Sequence, residues 1–421
     1  MNETRYYKRY YKYYLFLLVI LCTWFSTIVA PPMPIRLVYL AALIIPAYLY
    51  APNLIVPVLI CFTGIAAYGF SCSYMPTELY YYLIIMFLLL GFGLQRNLKT
   101  QRPSILFTCF CLYVLCIDLL GGERLENIDY SMLVVLISFF FVSKKGHEES
   151  SYILSFIMVS LIICLYFFTY GQSGAVEVSE DGRTAWKDSN YLGNVCGMGI
   201  VLAYNVLINN LYTNKKFKYL CLLTVIIGVI MIALNASRGA FLSMAVAITI
   251  ITLFARIKTS SKFGIVIAVF FCVVIMYSMG LFKVLEERVM SDDGTGNART
   301  IIWAAKLDAY SQLSLLEKVF GIGYRRGFEL AIPGGFGFHC DYIAWLVDYG
   351  IAGLLFFISL LIYPLKLVWN RQSQRPIVLS LILFLATCCS TLEPLTAGRL
   401  AYWYFYMLIV LFARWSSQQT N

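Results

Sequence analysis

Apolar runs recur from residue 14 to residue 413, and polar residues gather in the short stretches between them. The runs are 14–30, 37–51, 54–71, 79–94, 104–120, 131–143, 151–170, 191–211, 219–235, 239–255, 263–282, 340–363, 376–391 and 400–413. A helix needs about 20 apolar residues to cross roughly 30 Å of hydrocarbon. Open strands cannot cross, because their backbone groups would stay unpaired in lipid. Each run is therefore predicted as a helix. Runs 37–51, 131–143 and 400–413 are short, so some re-enter or join, and the expected count is twelve to fourteen spans. The pattern predicts an all-α polytopic integral membrane protein. Residues 1–282 would form a first transmembrane bundle with a short outer loop at 171–190. Residues 283–339 would form the larger outer loop, and 340–421 the last transmembrane helices. Within the large loop, 298–319 reads as an amphipathic helix lying on the membrane or over a cavity.

Composition agrees. The 421 residues are 61% hydrophobic and 13% charged, against about 25% charged in soluble domains. The net charge of +10 would suggest nucleic acid on a soluble protein. Here the basic residues sit in short loops and report topology. With Arg5, Lys8, Arg9 and Lys12 inside, the alternating inside loops carry Arg96, Lys99 and Arg102, then Lys144 and Lys145, then Lys215, Lys216 and Lys218. Arg256, Lys258 and Lys262, then Lys366, Arg371 and Arg375, then Arg414 complete the series. Both termini come out cytoplasmic, and the basic N-terminus reads as an uncleaved first span. The 13 Cys contain no CxxC pair, most lie in apolar runs, and no disulfide framework is inferred.

The outer segments hold mainly Arg: Arg36, Arg124, Arg183, Arg238, Arg288, Arg299, Arg325, Arg326 and Arg399. Positive charge is disfavoured there, so these residues either pair with nearby acids or meet an anionic substrate, whose diphosphate oxygens suit the guanidinium fork. Arg238 sits in LNASRGAF, almost without a loop between two runs. It is either a snorkelling helix-end Arg or a functional one. Arg299 opens the amphipathic stretch, with Trp303, Lys306 and Tyr310 on one helical face. That face would hold a phosphate and stack on a sugar, or lie in headgroups. His339 is one of only two His and stands at the outer mouth of the 340–363 run. It could act as a base or simply anchor the helix. Asp292-Asp293 reads as a solvated turn, not a metal site. There is no P-loop and no GxGxxG, so nothing points to nucleotide.

Taken in order, Asp188-Ser189-Asn190-Tyr191, ASRGAFL with Arg238, GNARTIIW with Arg299, FGIGYRRG with Arg325 and Arg326, and His339 opening HCDYIAWLVDYGIAGLL resemble the O-antigen ligase and polymerase superfamily. These are membrane glycosyltransferases of bacterial surface-polysaccharide assembly. The resemblance covers about residues 185–363. It implies a glycosyltransferase C-like protein of the bacterial inner membrane with its active site on the periplasmic face. The donor would be a glycan on undecaprenyl diphosphate. The acceptor would be a sugar hydroxyl on a second glycan (polymerase) or on lipid A–core (ligase), with a chain-length regulator as a conceivable partner. No metal, cofactor or nucleic acid is implied. The catalytic set would be His339, Arg238 and Arg299. Arg183, Asp188, Asn190, Arg325, Arg326 and Asp341 would contact substrate. The compact Gly-rich stretch before His339 leaves little room for acceptor-binding structure, which favours the polymerase slightly. The family usually has Asn after the His, whereas this chain has Cys340 and then Asp341; if that Asn orients the His or the substrate, either Asp341 substitutes for it or the role is lost. A lipid-linked oligosaccharide flippase is the reading from another class. It would place its charges at mid-membrane depth instead of at one face.

Overall fold

The computed structural model describes residues 54–65, 101–121, 131–142, 149–170, 177–178, 184–185, 189–235, 237–280, 282, 286, 299–324, 326–328, 330, 337–396 and 399–418. The helices are α1 (Ile55–Ile65), α2 (Ile105–Leu120), α3 (Ser131–Ser138), α4 (Glu149–Tyr170), α5 (Ser189–Ile208), α6 (Lys215–Leu234), α7 (Arg238–Phe254), α8 (Thr259–Ser278), α9 (Arg299–Ser311), α10 (Leu315–Phe320), α11 (Asp341–Val368), α12 (Arg375–Thr391) and α13 (Leu400–Gln418). Asn190–Ile208, Lys215–Leu234, Thr259–Ser278 and Asp341–Val368 are long and apolar enough to cross a membrane. Ile105–Leu120, Ser131–Phe141, Glu149–Leu165, Arg238–Phe254, Arg375–Thr391 and Leu400–Trp415 are apolar but shorter. The chain is an all-α polytopic membrane protein. Expected spans 14–30, 37–51 and 79–94 lie outside the described residues.

Helix starts follow the polar residues that precede the apolar runs. Ser104 accepts from the Phe107 amide, Asn214 from Lys216 and Phe217, and Ser237 from Ala240. Each side chain satisfies amide groups that a helix start leaves without partners.

Two local features differ from the sequence reading. Within the stretch expected as a short outer loop, β1 (Glu177–Val178) pairs antiparallel with β2 (Thr184–Ala185). The amphipathic stretch is two helices, α9 and α10. Ser314 and Glu317 form a reciprocal capping box that starts α10 afresh. That Ser-x-x-Glu spacing is a start signal, and it overrides the continuous periodicity.

In lipid, water does not drive helices together, so close backbone approach and interhelical polar contacts do more of the work. α7 packs on α5 and α12, α5 also on α4 and α6, and α11 on α2, α10, α12 and α13. Small residues sit at the closest crossings. A Cβ on Gly193 of α5 would lie 2.9 Å from Ala240 Cβ, and one on Gly239 would lie 2.8 Å from Thr391 Oγ1. Around α11, Trp345 stacks on Phe357 at 5.5 Å and packs against Phe110 and Tyr349. α11 bends at Gly350, whose φ is +67°. A Cβ there would lie 2.3 Å from Val319 O. The bend therefore seats α10 directly on the α11 backbone, where the Tyr113 hydroxyl of α2 lies 2.7 Å from Tyr349 O and 3.0 Å from Phe320 O and shares its one proton between them.

Candidate active site

The ends that the charge pattern assigns to the outer side carry the candidate residues. They are the starts of α5, α7, α9, α11 and α13 and the end of α12. The described residues between α12 and α13, 392–396 and 399, lie between two clusters there.

The first cluster surrounds His339. This residue is partly buried and has φ +49°, an uncommon conformation for a residue with a side chain. The peptide before it is held from both sides. The Phe338 amide donates to Glu393 Oε2 at 2.7 Å, and Trp303 Nε1 donates to Phe338 O at 2.7 Å. After it, the Asp341 amide donates to Leu392 O at 3.0 Å. Burial and then the nearby Arg299 guanidinium hold the His339 pKa below its ordinary value. Both favour the neutral imidazole, the form that can accept a proton. Arg299, the first residue of α9, is close enough to act electrostatically on His339.

Asp341 is placed differently from expectation. It is completely buried. Its carboxylate accepts from the Leu395 amide at 3.1 Å, the Thr396 amide at 2.9 Å and Thr396 Oγ1 at 2.6 Å. It therefore shapes the turn after α12 and does not face the outer mouth. The Trp303, Lys306 and Tyr310 face of α9 also turns inward. Lys306 is fully buried, and its Nζ donates to the carbonyls of Gly327, Phe328 and Leu330 at 2.5, 2.6 and 2.8 Å. Tyr310 donates to Lys318 O. The face is a clamp on the Gly-rich loop instead of a surface for phosphate and sugar. Next along that loop, Gly327 donates to Asp348 Oδ1 at 3.0 Å and Tyr324 to Asp118 Oδ1 at 2.9 Å. Gly321, at φ +90°, approaches so closely that a Cβ would lie 2.2 Å from Asp348 O.

The second cluster surrounds Arg238, which opens α7 and is partly buried. The preceding Ser237 donates to Asn190 Oδ1 at 3.2 Å, joining the first and second elements of the sequence pattern. Beside Asn190, the Arg399 guanidinium lies 4.8 Å from the Tyr191 ring centroid. That distance permits a cation–π contact. The Arg399 amide donates to Pro394 O. One turn thus touches both clusters, through Leu392 and Glu393 on one flank and Pro394 and Arg399 on the other.

Arg326 lies on a short 3-10 turn, Arg326–Phe328, and is exposed. Arg183, Asp188, Arg325 and Asp292-Asp293 lie outside the described residues. Among the described residues, no three His, Cys, Asp or Glu side chains gather as a metal site. Glu393 was not singled out by sequence. The available signal was an acid beside Pro in the short stretch between the apolar runs 376–391 and 400–413, where charge near hydrocarbon calls for a function.

Residues 223–358 match the family model described as O-antigen ligase. The matched stretch runs from within α6 into α11 and includes Arg238, Arg299, His339 and Asp341. It supports the superfamily resemblance drawn from the sequence. No curated protein matches the chain.

Proposed function

We propose that this chain, whose residues 223–358 carry the O-antigen ligase signature, transfers a glycan from undecaprenyl diphosphate to a sugar hydroxyl at the periplasmic face of the inner membrane. The observation that carries this reading is that the helix opened by Arg299 is bonded through Trp303 to the carbonyl of Phe338, directly before His339 at the start of α11. His339 accepts the proton of the acceptor hydroxyl as its oxygen attacks the anomeric carbon. The bond from that carbon to the diphosphate breaks, with inversion, and undecaprenyl diphosphate leaves. Arg299 and Arg238 meet the charge that develops on the leaving diphosphate. Asn190 holds the Arg238 helix start through Ser237. The lipid diphosphate is already activated, so the transfer needs neither nucleotide nor metal.

The donor half of this chemistry serves two acceptors. The compact loop before His339 favours another lipid-linked glycan, hence polymerisation of repeat units. The description of the matched family favours lipid A–core, hence ligation. The test is a gel of surface polysaccharide from the host lacking this gene, complemented with wild type or His339→Ala. A single repeat on core in the null and the mutant marks a polymerase. Bare core with long chains left on undecaprenyl diphosphate marks a ligase. A wild-type ladder from His339→Ala refutes the mechanism and favours a flippase.

A further inference from the structure

His339 occupies a left-handed conformation, φ +49°. Asn, Asp and His enter this region more often than other side-chain-bearing residues, but it is uncommon for all of them. A His left to itself would relax to an ordinary extended or helical φ, which would re-aim its ring. Such a conformation persists only where the surroundings over-determine it.

Those surroundings are specific. Both polar atoms of the Phe338 backbone are bonded, and to side chains from two elements remote in sequence. Trp303 of α9 donates its indole N–H to Phe338 O at 2.7 Å. Glu393, from the turn after α12, accepts the Phe338 amide at 2.7 Å. The Phe338 side chain is 1% exposed, meets the Phe328 ring edge to face, and has the Lys306 ammonium 5.2 Å from its ring centroid. On the other side of His339, the Asp341 amide donates to Leu392 O. His339 is therefore the free span of a short arch whose two feet are fixed.

We propose that Trp303 and Glu393 are positioning residues: together they lock the Phe338 peptide and so hold His339 left-handed, with its imidazole beside Arg299. This rests on the reading of His339 as the proton acceptor. Neither residue touches the reacting atoms, and both act through one peptide plane. A ring displaced by about 1 Å can lower the rate by about a hundredfold, so these two hydrogen bonds bear directly on turnover.

The clamp also affects titration. The titratable and charged groups around the arch are Arg299 and Lys306 from α9, Cys340 and Asp341 on the other side of His339, and Glu393 from the turn. Burial is the larger cause of the low His339 pKa, and Arg299 the smaller. Loosening the arch moves the ring toward water and away from Arg299. Both changes raise its pKa toward the ordinary value.

The experiment uses full-length protein in lipid nanodiscs, with the host's own extracted polyprenyl-linked glycan as donor and acceptor. Trp303→Phe keeps an aromatic side chain and removes the indole N–H together with the five-membered ring that carries it. Glu393→Leu removes the acceptor, while Glu393→Gln keeps an oxygen able to accept. Trp303→Phe and Glu393→Leu are expected to lower kcat by roughly ten- to a hundredfold, with KM for the donor within about twofold. The acid limb of the kcat profile should move to higher pH in both. Glu393→Gln should recover kcat to within about threefold of wild type. A merely structural role would reduce the folded fraction and leave the acid limb in place. Wild-type kcat and an unmoved limb in Trp303→Phe overturn the proposal, as does a loss in Glu393→Gln equal to that in Glu393→Leu. His339→Ala is run in parallel. If it is inactive while Trp303→Phe is normal, only the clamp is wrong. If it keeps full activity, the base assignment itself fails.

Discussion

Replacing Lys306 by Met removes the ammonium and keeps an unbranched chain of similar length in the same space. Three carbonyls, those of Gly327, Phe328 and Leu330, lose their shared donor. Hydrogen bonds from a charged donor contribute about 1.5–3 kcal/mol each. The three do not simply add, because burying the ammonium opposes them. Burial lowers the Lys306 pKa, and this outweighs the nearby carboxylates of Asp348 and Glu393, which raise it. Carbonyls near the outer surface can also recover water. A net loss of about 2–4 kcal/mol is the reasonable range. It falls on the loop that α9 holds, not on the transmembrane bundle. At about 1.4 kcal/mol per factor of ten, the opening of that loop becomes roughly 30- to 1000-fold more frequent. Hydrogen–deuterium exchange of the full-length protein in nanodiscs reads this directly. The amides of Ile322, Gly323, Tyr324 and Gly327 all bond to α11 or α2 acceptors, so they should exchange faster. The amides of α12 should not change. Unaltered exchange over 321–330 would refute the clamp, and equal acceleration everywhere would show that Lys306 supports the whole protein.

Two further outcomes follow from the same contacts. Arg299→Met removes a positive charge that disfavours protonated His339, so the His339 pKa should rise toward its ordinary value. The unprotonated imidazole, which reacts with diethyl pyrocarbonate, then appears only at higher pH. Tested in a His147→Gln background, where His339 is the one remaining His, the modification midpoint should move up, and a midpoint that falls or stays put contradicts the proximity of the two groups. Asp341→Ala strips the acceptors from Leu395 N, Thr396 N and Thr396 Oγ1, a cost of about 2–4 kcal/mol. The thermal midpoint in detergent should fall clearly, and an unchanged one would mean that the turn does not depend on this carboxylate.

Much of the bundle was legible because one signal dominates: in hydrocarbon every backbone group must be bonded within its own helix, so apolar length alone locates spans. The runs at 104–120, 219–235, 239–255, 340–363 and 376–391 have direct counterparts in α2, α6, α7, α11 and α12. The candidate residues could also be picked out by position. Arg238, Arg299 and His339 stood out as charges or a titratable ring at span boundaries, where polar groups are costly and therefore informative. What periodicity could not carry was direction. The Trp303, Lys306 and Tyr310 face is the same whether it meets phosphate, headgroups or its own loop. Only tertiary placement decides, and the carbonyls of Gly327, Phe328 and Leu330 turn that face inward. Glu393 was missed for a related reason. Its partner is the backbone amide of Phe338, 55 residues away in the chain, and no local pattern announces a side chain that bonds a remote peptide.

The departure from the family pattern after His339 can now be placed in physical terms. An Asn directly following the His could reach its neighbours. In this chain that position is Cys340, a weak donor and acceptor, and the first strong polar group is Asp341, one residue later. On α11, Asp341 points to the turn after α12, not to the imidazole. Yet that turn supplies Leu392 O and Glu393, which fix the backbone on either side of His339. Asp341 therefore acts on His339 at one remove: its carboxylate shapes the turn, and the turn holds the arch. A substitution that looks like a lost orienting group is, in this fold, a transfer of orientation from a side chain to the backbone. The backbone on either side of His339 is thus fixed by the turn, and on the proposed reading this is what places the Cα from which the imidazole reaches the acceptor hydroxyl.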